Sequence, residues 1–159
     1  MSPKVPRNIA ISEIMQSLRR IFKAIQDYSQ EVSQKFGITG PQLWALKTLS
    51  TNGSLPLGQL SKMMYLHPST TTGVVDRLEK KGYVVRDRVR KDRRVVMVQL
   101  TPKGKRTVSK APNPIQGKMV YGLSRLKQKN LNSIYDSVKK LVEIAEAQNI
   151  KATFFFDKE

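Results

Sequence analysis

The stretch LGQLSKMMYLHPSTTTGVVDRLEKKGYVVRDRVRKDRRVVMVQLT, Leu57 to Thr101, decides the fold. Leu57, Leu60 and Met64 recur at helical spacing. After a short break His67-Pro68-Ser69 opens a second helix, with Pro68 at the first helical position, where its missing N–H is not needed. That helix keeps its apolar side on Val74, Val75 and Leu78, and Gly82 stops it as a left-handed cap. Its other side begins with Ser69, Thr70 and Thr72, small hydroxyl side chains on a helix end that fits a major groove. Beyond Gly82 the runs Tyr83-Val84-Val85 and Val95-Val96-Met97-Val98 flank the charged segment Arg86 to Arg94, which predicts a hairpin with a basic tip. From Arg77 to Arg106 there are twelve Lys/Arg and three Asp/Glu, so +9 of the chain's +17 is concentrated in this region.

Helix, turn, helix and basic hairpin in this order resemble the winged helix-turn-helix of the MarR (multiple antibiotic resistance regulator) family of bacterial transcription factors. The wing pattern D-x-R-x-x-x-V-x-L-T is met by Asp92, Arg94, Val98, Leu100 and Thr101, and the recognition-helix pattern P-S-T-x-T-x-x-V-D-R-L-E-x-x-G by Pro68 to Gly82. The resemblance implies a homodimer that binds a pseudo-palindromic operator in double-stranded DNA and regulates transcription, usually as a repressor. It also implies control by small molecules, often aromatic acids, or by cysteine oxidation. The second route is closed here, because the chain has no cysteine. The basic excess favours a small aromatic anionic effector.

Composition narrows the other classes. A chain of 159 residues suits one domain with a proper core, and a net charge of +17 points to a polyanionic partner. No apolar run approaches the ~18 residues of a membrane span, and MSPKVPRNIA lacks the apolar centre of a signal peptide, so no membrane role and a cytoplasmic location are expected. His67 is the single histidine, and no carboxylate pair or phosphate-binding glycine loop is evident; no enzyme activity, metal or cofactor is expected.

Outward from the central stretch, residues 1 to 8 read as a loose arm. Ile9 to Phe36 carries Ile11, Ile14, Met15, Leu18, Ile21, Phe22, Ile25, Tyr28 and Val32 every three or four residues. This predicts an amphipathic helix of roughly 40 Å, too long for one small lobe to cover its stripe. Gly37 ends it. Thr39 as N-cap, Gln42 as capping-box partner and Ile38 against Leu43 start the next helix, which buries Leu43, Leu46 and Leu49 and ends at Asn52-Gly53. Thr101-Pro102 starts another, running to about Lys110, and Ala111-Pro112-Asn113-Pro114 breaks it, a departure from the family's more continuous helix. Asn113 as N-cap restarts a helix with Ile115, Met119, Val120, Leu123 and Leu126 in its stripe, and a last helix spans about Gln128 to Gln148. The apolar tail Thr153 to Phe156 is expected to dock on the dimer region.

The expected fold is therefore mostly α with a small β-hairpin wing: a dimerisation helix and arm over 1–36, a DNA-binding lobe over 37–110, and C-terminal dimerisation helices with an apolar tail over 111–159. The candidate DNA-binding residues are Ser69, Thr70, Thr71 and Thr72 on the recognition helix, and Arg77, Arg86, Arg90, Lys91, Arg93 and Arg94 around the wing. The hydroxyls could equally serve only as first-turn caps, and Arg77 could pair with Asp76 or Asp92. By resemblance Arg94 is the minor-groove residue and Asp92 supports the wing. Gly73 stands where relatives often carry a larger polar or basic side chain. Trp44 either lines a ligand pocket or belongs to the core, the pocket being expected between the first helix, the Trp44 helix and the helix after Thr101. His67 reads as a neighbour of the N-cap, and Met63 and Met64 read as core filler. The competing function is a sequence-indifferent basic DNA- or RNA-binding protein.

Overall fold

The computed structural model describes residues 5–89 and 91–152, apart from the side chain of Arg93. Residues 1–4 of the expected arm, Arg90 and the tail from Thr153 lie outside this range. The described chain is mostly helical with one small sheet: α1 (Arg7–Phe36), α2 (Gly40–Asn52), β1 (Leu55–Pro56), α3 (Leu57–Met63), α4 (Pro68–Lys80), β2 (Val84–Val89), β3 (Asp92–Leu100), α5 (Pro102–Lys110), α6 (Ile115–Ser124) and α7 (Gln128–Ile144).

The core forms around α2. Thr39 starts it with a reciprocal capping box: the Gln42 N–H donates to Thr39 Oγ1 (3.3 Å) and the Thr39 N–H donates to Gln42 Oε1 (3.2 Å). Leu43, Trp44, Ala45, Leu46 and Leu49 are all buried, and α1, α3, α4, α5 and β3 pack on α2. Ile38 and Leu43, the expected staple, both lie in that core. On α4 the apolar side falls on Val74, Val75 and Leu78. Its end has Gly82 at φ +75, with the Gly82 N–H donating to Glu79 O (2.9 Å) and the Tyr83 N–H to Leu78 O (2.9 Å). These paired bonds are a Schellman end, and its apolar contact is supplied by Tyr83 and Leu78, both in the core.

The sheet has the order β1-β3-β2, antiparallel throughout. The two-residue β1, with Leu55 opposite Val98, carries too little pattern to be read from sequence. The hairpin strands also run further into the charged segment than expected, with Arg86 opposite Val98 and Arg88 opposite Val96. Ladder pairing, more than side-chain propensity, sets strand length where one face meets water. The base of the wing is closed by Thr101: its hydroxyl donates to Gly82 O (2.7 Å) and accepts the Gly104 N–H (3.1 Å). A Cβ on Gly104 would lie 2.2 Å from Tyr83 O, so only glycine lets α5 start this close to the wing.

Several boundaries correct the sequence reading. Helix α1 begins at Arg7, inside the expected arm, with Pro6 at its N-cap. Asn113 does not cap α6; Pro114 is the N-cap and makes no side-chain bond. Helix α7 stops at Ile144, where Glu146 takes φ +55 in a Schellman end closed by the Ala147 N–H on Val142 O (3.0 Å). A glutamate there gives no glycine signal to read. Met64 is core as expected, whereas Met63 is exposed.

Only the C-terminal third of α1 is covered: Ile25, Tyr28 and Val32 are buried, while Ile9, Ile11, Ile14, Met15, Ile21 and Phe22 are exposed. Burial and then the Glu31 carboxylate push the Tyr28 phenol above its ordinary pKa, so it is neutral within the core. Helices α6 and α7 have no buried residues at all, and Met119, Ile134, Val138 and Val142 face solvent. No helix among the described residues is long and apolar enough to cross a membrane.

Candidate nucleic-acid interface

Local chemistry fixes the first turn of α4. His67 is itself the N-cap, its ring nitrogen accepting the Ser69 N–H (3.3 Å) and lying 2.7 Å from the Ser69 hydroxyl. Ser69 is exposed and Thr70 half-buried, so both can reach outward. Thr72 is also half-buried, its hydroxyl donating back to Pro68 O (2.9 Å). Thr71 is different. It is fully buried beneath α4 and its hydroxyl turns back toward His67 O (3.4 Å). The expectation that Thr71 meets DNA is corrected: three positions after Pro68, it falls on the same side of the helix as Val74, Val75 and Leu78.

Arg86 is a second correction. Sequence made it a candidate DNA contact, but its guanidinium is held between two carboxylates of α4, Asp76 Oδ1 (2.5 Å) and Glu79 Oε2 (2.9 Å), and its backbone N–H donates to Glu79 Oε1 (3.2 Å). The fork of one arginine thus fastens the first wing strand to the recognition helix. The signal was present in the sequence as Asp76 and Glu79 at i, i+3, but Arg86 meets them only once the chain has turned back after Gly82. Arg88, two residues further along the same strand face, is exposed and was missed because an expected loop gave it no facing.

At the wing tip Asp92 accepts the backbone N–H of Arg94 (3.0 Å), which fixes the chain direction after the turn. Arg94 and Lys91 are exposed, as is Arg77 on α4. Arg90 and the Arg93 side chain lie outside the described structure. Arg86 ties the base of the wing to the C-terminal half of α4, and the first turn of α4 and the wing tip present hydroxyls and cations from elements of one lobe.

Two further ties connect this lobe to the rest. The Tyr83 hydroxyl donates to Phe36 O (3.1 Å) and Lys81 Nζ to Gly37 O (2.8 Å), so the junction of α4 and wing holds the last carbonyls of α1. Lys47 of α2 donates to Val108 O (2.9 Å) and Ala111 O (2.7 Å), holding the end of α5 at the proline break; burial lowers its pKa.

Beside Lys47 lies a cleft of about 510 Å³ whose walls include Trp44, Met63, Gly117, Lys118 and Tyr121. It is walled by α2, the end of α3 and α6, with Trp44 on the α2 side, and so differs from the α1–α2–α5 position expected from sequence. Gly117 faces Trp44 across it, where a Cβ would make ordinary contact, 3.5 Å from the indole nitrogen. Trp44 is thus both core and cleft wall. No group of three His, Cys, Asp or Glu among the described residues could hold a metal ion.

The Arg86 fork generates a test. In a double-mutant cycle of Arg86→Met and Glu79→Gln, we expect a coupling of about 1 kcal/mol from denaturant unfolding, modest because both groups are partly solvated. Additive effects would break the proposed fastening.

Comparison with known proteins places the arrangement. The sequence pattern of the MarR family matches residues 38–96. The HTH-type transcriptional repressor MdtR of Bacillus subtilis (strain 168) is 33% identical over 144 residues, covering 89% of this chain and 93% of that protein. Among solved structures, a MepR-like protein complexed with pseudoligands is 32% identical with a TM-score of 0.58, covering 87% of this chain and 98% of that one. A MarR family protein from Bacillus stearothermophilus is 30% identical with a TM-score of 0.54, covering 89% and 99%.

Proposed function

This chain belongs to the MarR family of helix-turn-helix transcriptional regulators, and on that premise we propose that it is a cytoplasmic repressor that binds a pseudo-palindromic operator as a homodimer. The observation that carries the reading is the presentation of the α4 first turn and a basic wing by one lobe. Ser69 and Thr70 would enter the major groove. Arg94, with Lys91 beside it, would enter the flanking minor groove, whose negative potential attracts a guanidinium. Arg77, Arg88 and Thr72 would meet the backbone, and Asp92 would steady the tip. Arg90 and Arg93 belong to the same proposal through their place in the sequence. Arg94→Ala should weaken operator binding and lower the slope of log K against log salt by about one, with little change in melting temperature. Equal affinity of wild type for promoter and scrambled DNA would favour sequence-indifferent binding instead.

The dimer is supported by apolar surface that the chain leaves uncovered. The stripe from Ile9 to Phe22 on α1 and the faces of α6 and α7 exceed what single solvent-exposed residues account for. A second copy covers them by a two-fold arrangement, in which residues 1–36 and 111–159 form the dimerisation region and 37–110 the reading lobe. The two α4 helices would then sit roughly 34–36 Å apart, or a multiple of that. Ile14→Glu should yield monomer or aggregate in sedimentation and abolish operator binding. A soluble Ile14→Glu monomer with full affinity would exclude the arrangement.

The cleft at Trp44 is the proposed effector site. An aromatic ring, Met63 and two lysines suit a small aromatic anion. Such a ligand acts only through different affinity for the DNA-competent and incompetent spacings, and tenfold release needs about 1.4 kcal/mol of coupling. Since Trp44 is the single tryptophan, its fluorescence reports the cleft directly. Salicylate titrated into the operator complex should quench it and release DNA together, and Gly117→Leu should block both. Absence of quenching and release for every aromatic carboxylate tried would refute the site.

A further inference from the structure

Tyr65 occupies the turn between α3 and α4 with φ +54. Its N–H donates to Lys62 O (3.1 Å) and the Leu66 N–H to Ser61 O (3.0 Å), the paired bonds of a helix end whose next residue is left-handed. Glycine takes that conformation freely, whereas a side chain crowds the backbone. Elsewhere the chain follows that preference at Gly37 after α1 and Gly82 after α4, and departs from it only at Glu146 after α7 among the described residues. At the turn that aims the recognition helix it places an aromatic residue instead.

Packing does not offset the strain. Tyr65 is 74% exposed, and among the described residues its hydroxyl has no hydrogen-bond partner. Strain retained at an outward side chain points to a role outside the fold. Position identifies the role. Tyr65 stands four residues before Ser69, and four residues span at most about 15 Å, close to the roughly 12 Å width of a major groove. With the first turn of α4 in that groove, the exposed Tyr65 ring is within reach of its phosphate border, and exposed Lys62 stands three residues before it.

We infer that Tyr65 is a phosphate anchor: its phenol donates one hydrogen bond to a backbone phosphate oxygen and sets how deeply α4 enters the groove. The inference rests on the reading of α4 as the recognition helix. It assigns Tyr65 to positioning, since phosphate contacts carry no base identity.

The test uses the full chain and a fluorescent random-sequence duplex of roughly 30 base pairs, enough for two half-sites. Melting temperature and affinity at two salt concentrations are measured for wild type, Tyr65→Phe and Tyr65→Gly. Tyr65→Gly should melt at or above the wild-type temperature because the turn is relieved. Both variants should bind about three- to tenfold more weakly. The salt slope should stay at the wild-type value, because a neutral donor releases no counterion. A structural role would instead lower melting temperature and affinity together. Wild-type affinity in both variants overturns the anchor while leaving the recognition helix intact. A loss confined to Tyr65→Gly also overturns it, and points to the ring docking on a protein. A wild-type chain that binds no duplex overturns the reading of α4 itself, and the anchor with it.

Discussion

Everything in this molecule is referred to α2, a helix that has almost no solvent side. A helix with one apolar stripe fixes one neighbour, whereas α2 buries residues around its circumference and so fixes α1, α3, α4, α5 and β3 together. Each buried leucine contributes on the order of 2 kcal/mol, but the positional consequence is larger than the energetic one. Recognition helix and wing are held on one face of a post, and the long helix and the proline break on others.

Rigidity within the lobe is then combined with tethers at its edges. Tyr83 and Lys81 hold the end of α1, and Lys47 holds the end of α5. Their four hydrogen bonds all fall on carbonyls at helix C-terminal ends, which would otherwise need water. Movement of the arms relative to the lobe therefore concentrates at a few exchangeable hydrogen bonds. The cleft beside Lys47 lies at one of these joints.

Much of this was legible in the amino-acid sequence, for a physical reason. Caps act locally: Thr39 with Gln42, Thr101, Gly37 and Gly82 announce helix ends through bonds within a few residues. The reading failed where the deciding partner is distant or the local residue is atypical. Arg86 looked like a phosphate contact because Asp76 and Glu79 face it only after the chain turns back. Thr71 looked like its hydroxylated neighbours until the packing side of α4 was fixed. Tyr65 and Glu146 occupy left-handed positions that residue type conceals, and β1 depends on its partner strand for its existence. The walls of the Trp44 cleft were not legible for the same reason, since the direction taken after two prolines is a tertiary outcome.

The exposed border of the sheet has a consequence for life at high concentration. Strand β2 is an edge whose outward N–H and C=O groups could accept another strand, yet Arg86, Asp87 and Arg88 run along it and the bulge at Arg88/Val89 bends its end. Charged side chains on an edge disfavour its pairing, and a bent edge offers no straight register. The bend thus keeps one wing from zipping onto another. Copies crowded side by side along a duplex would remain separable particles instead of seeding a continuous sheet.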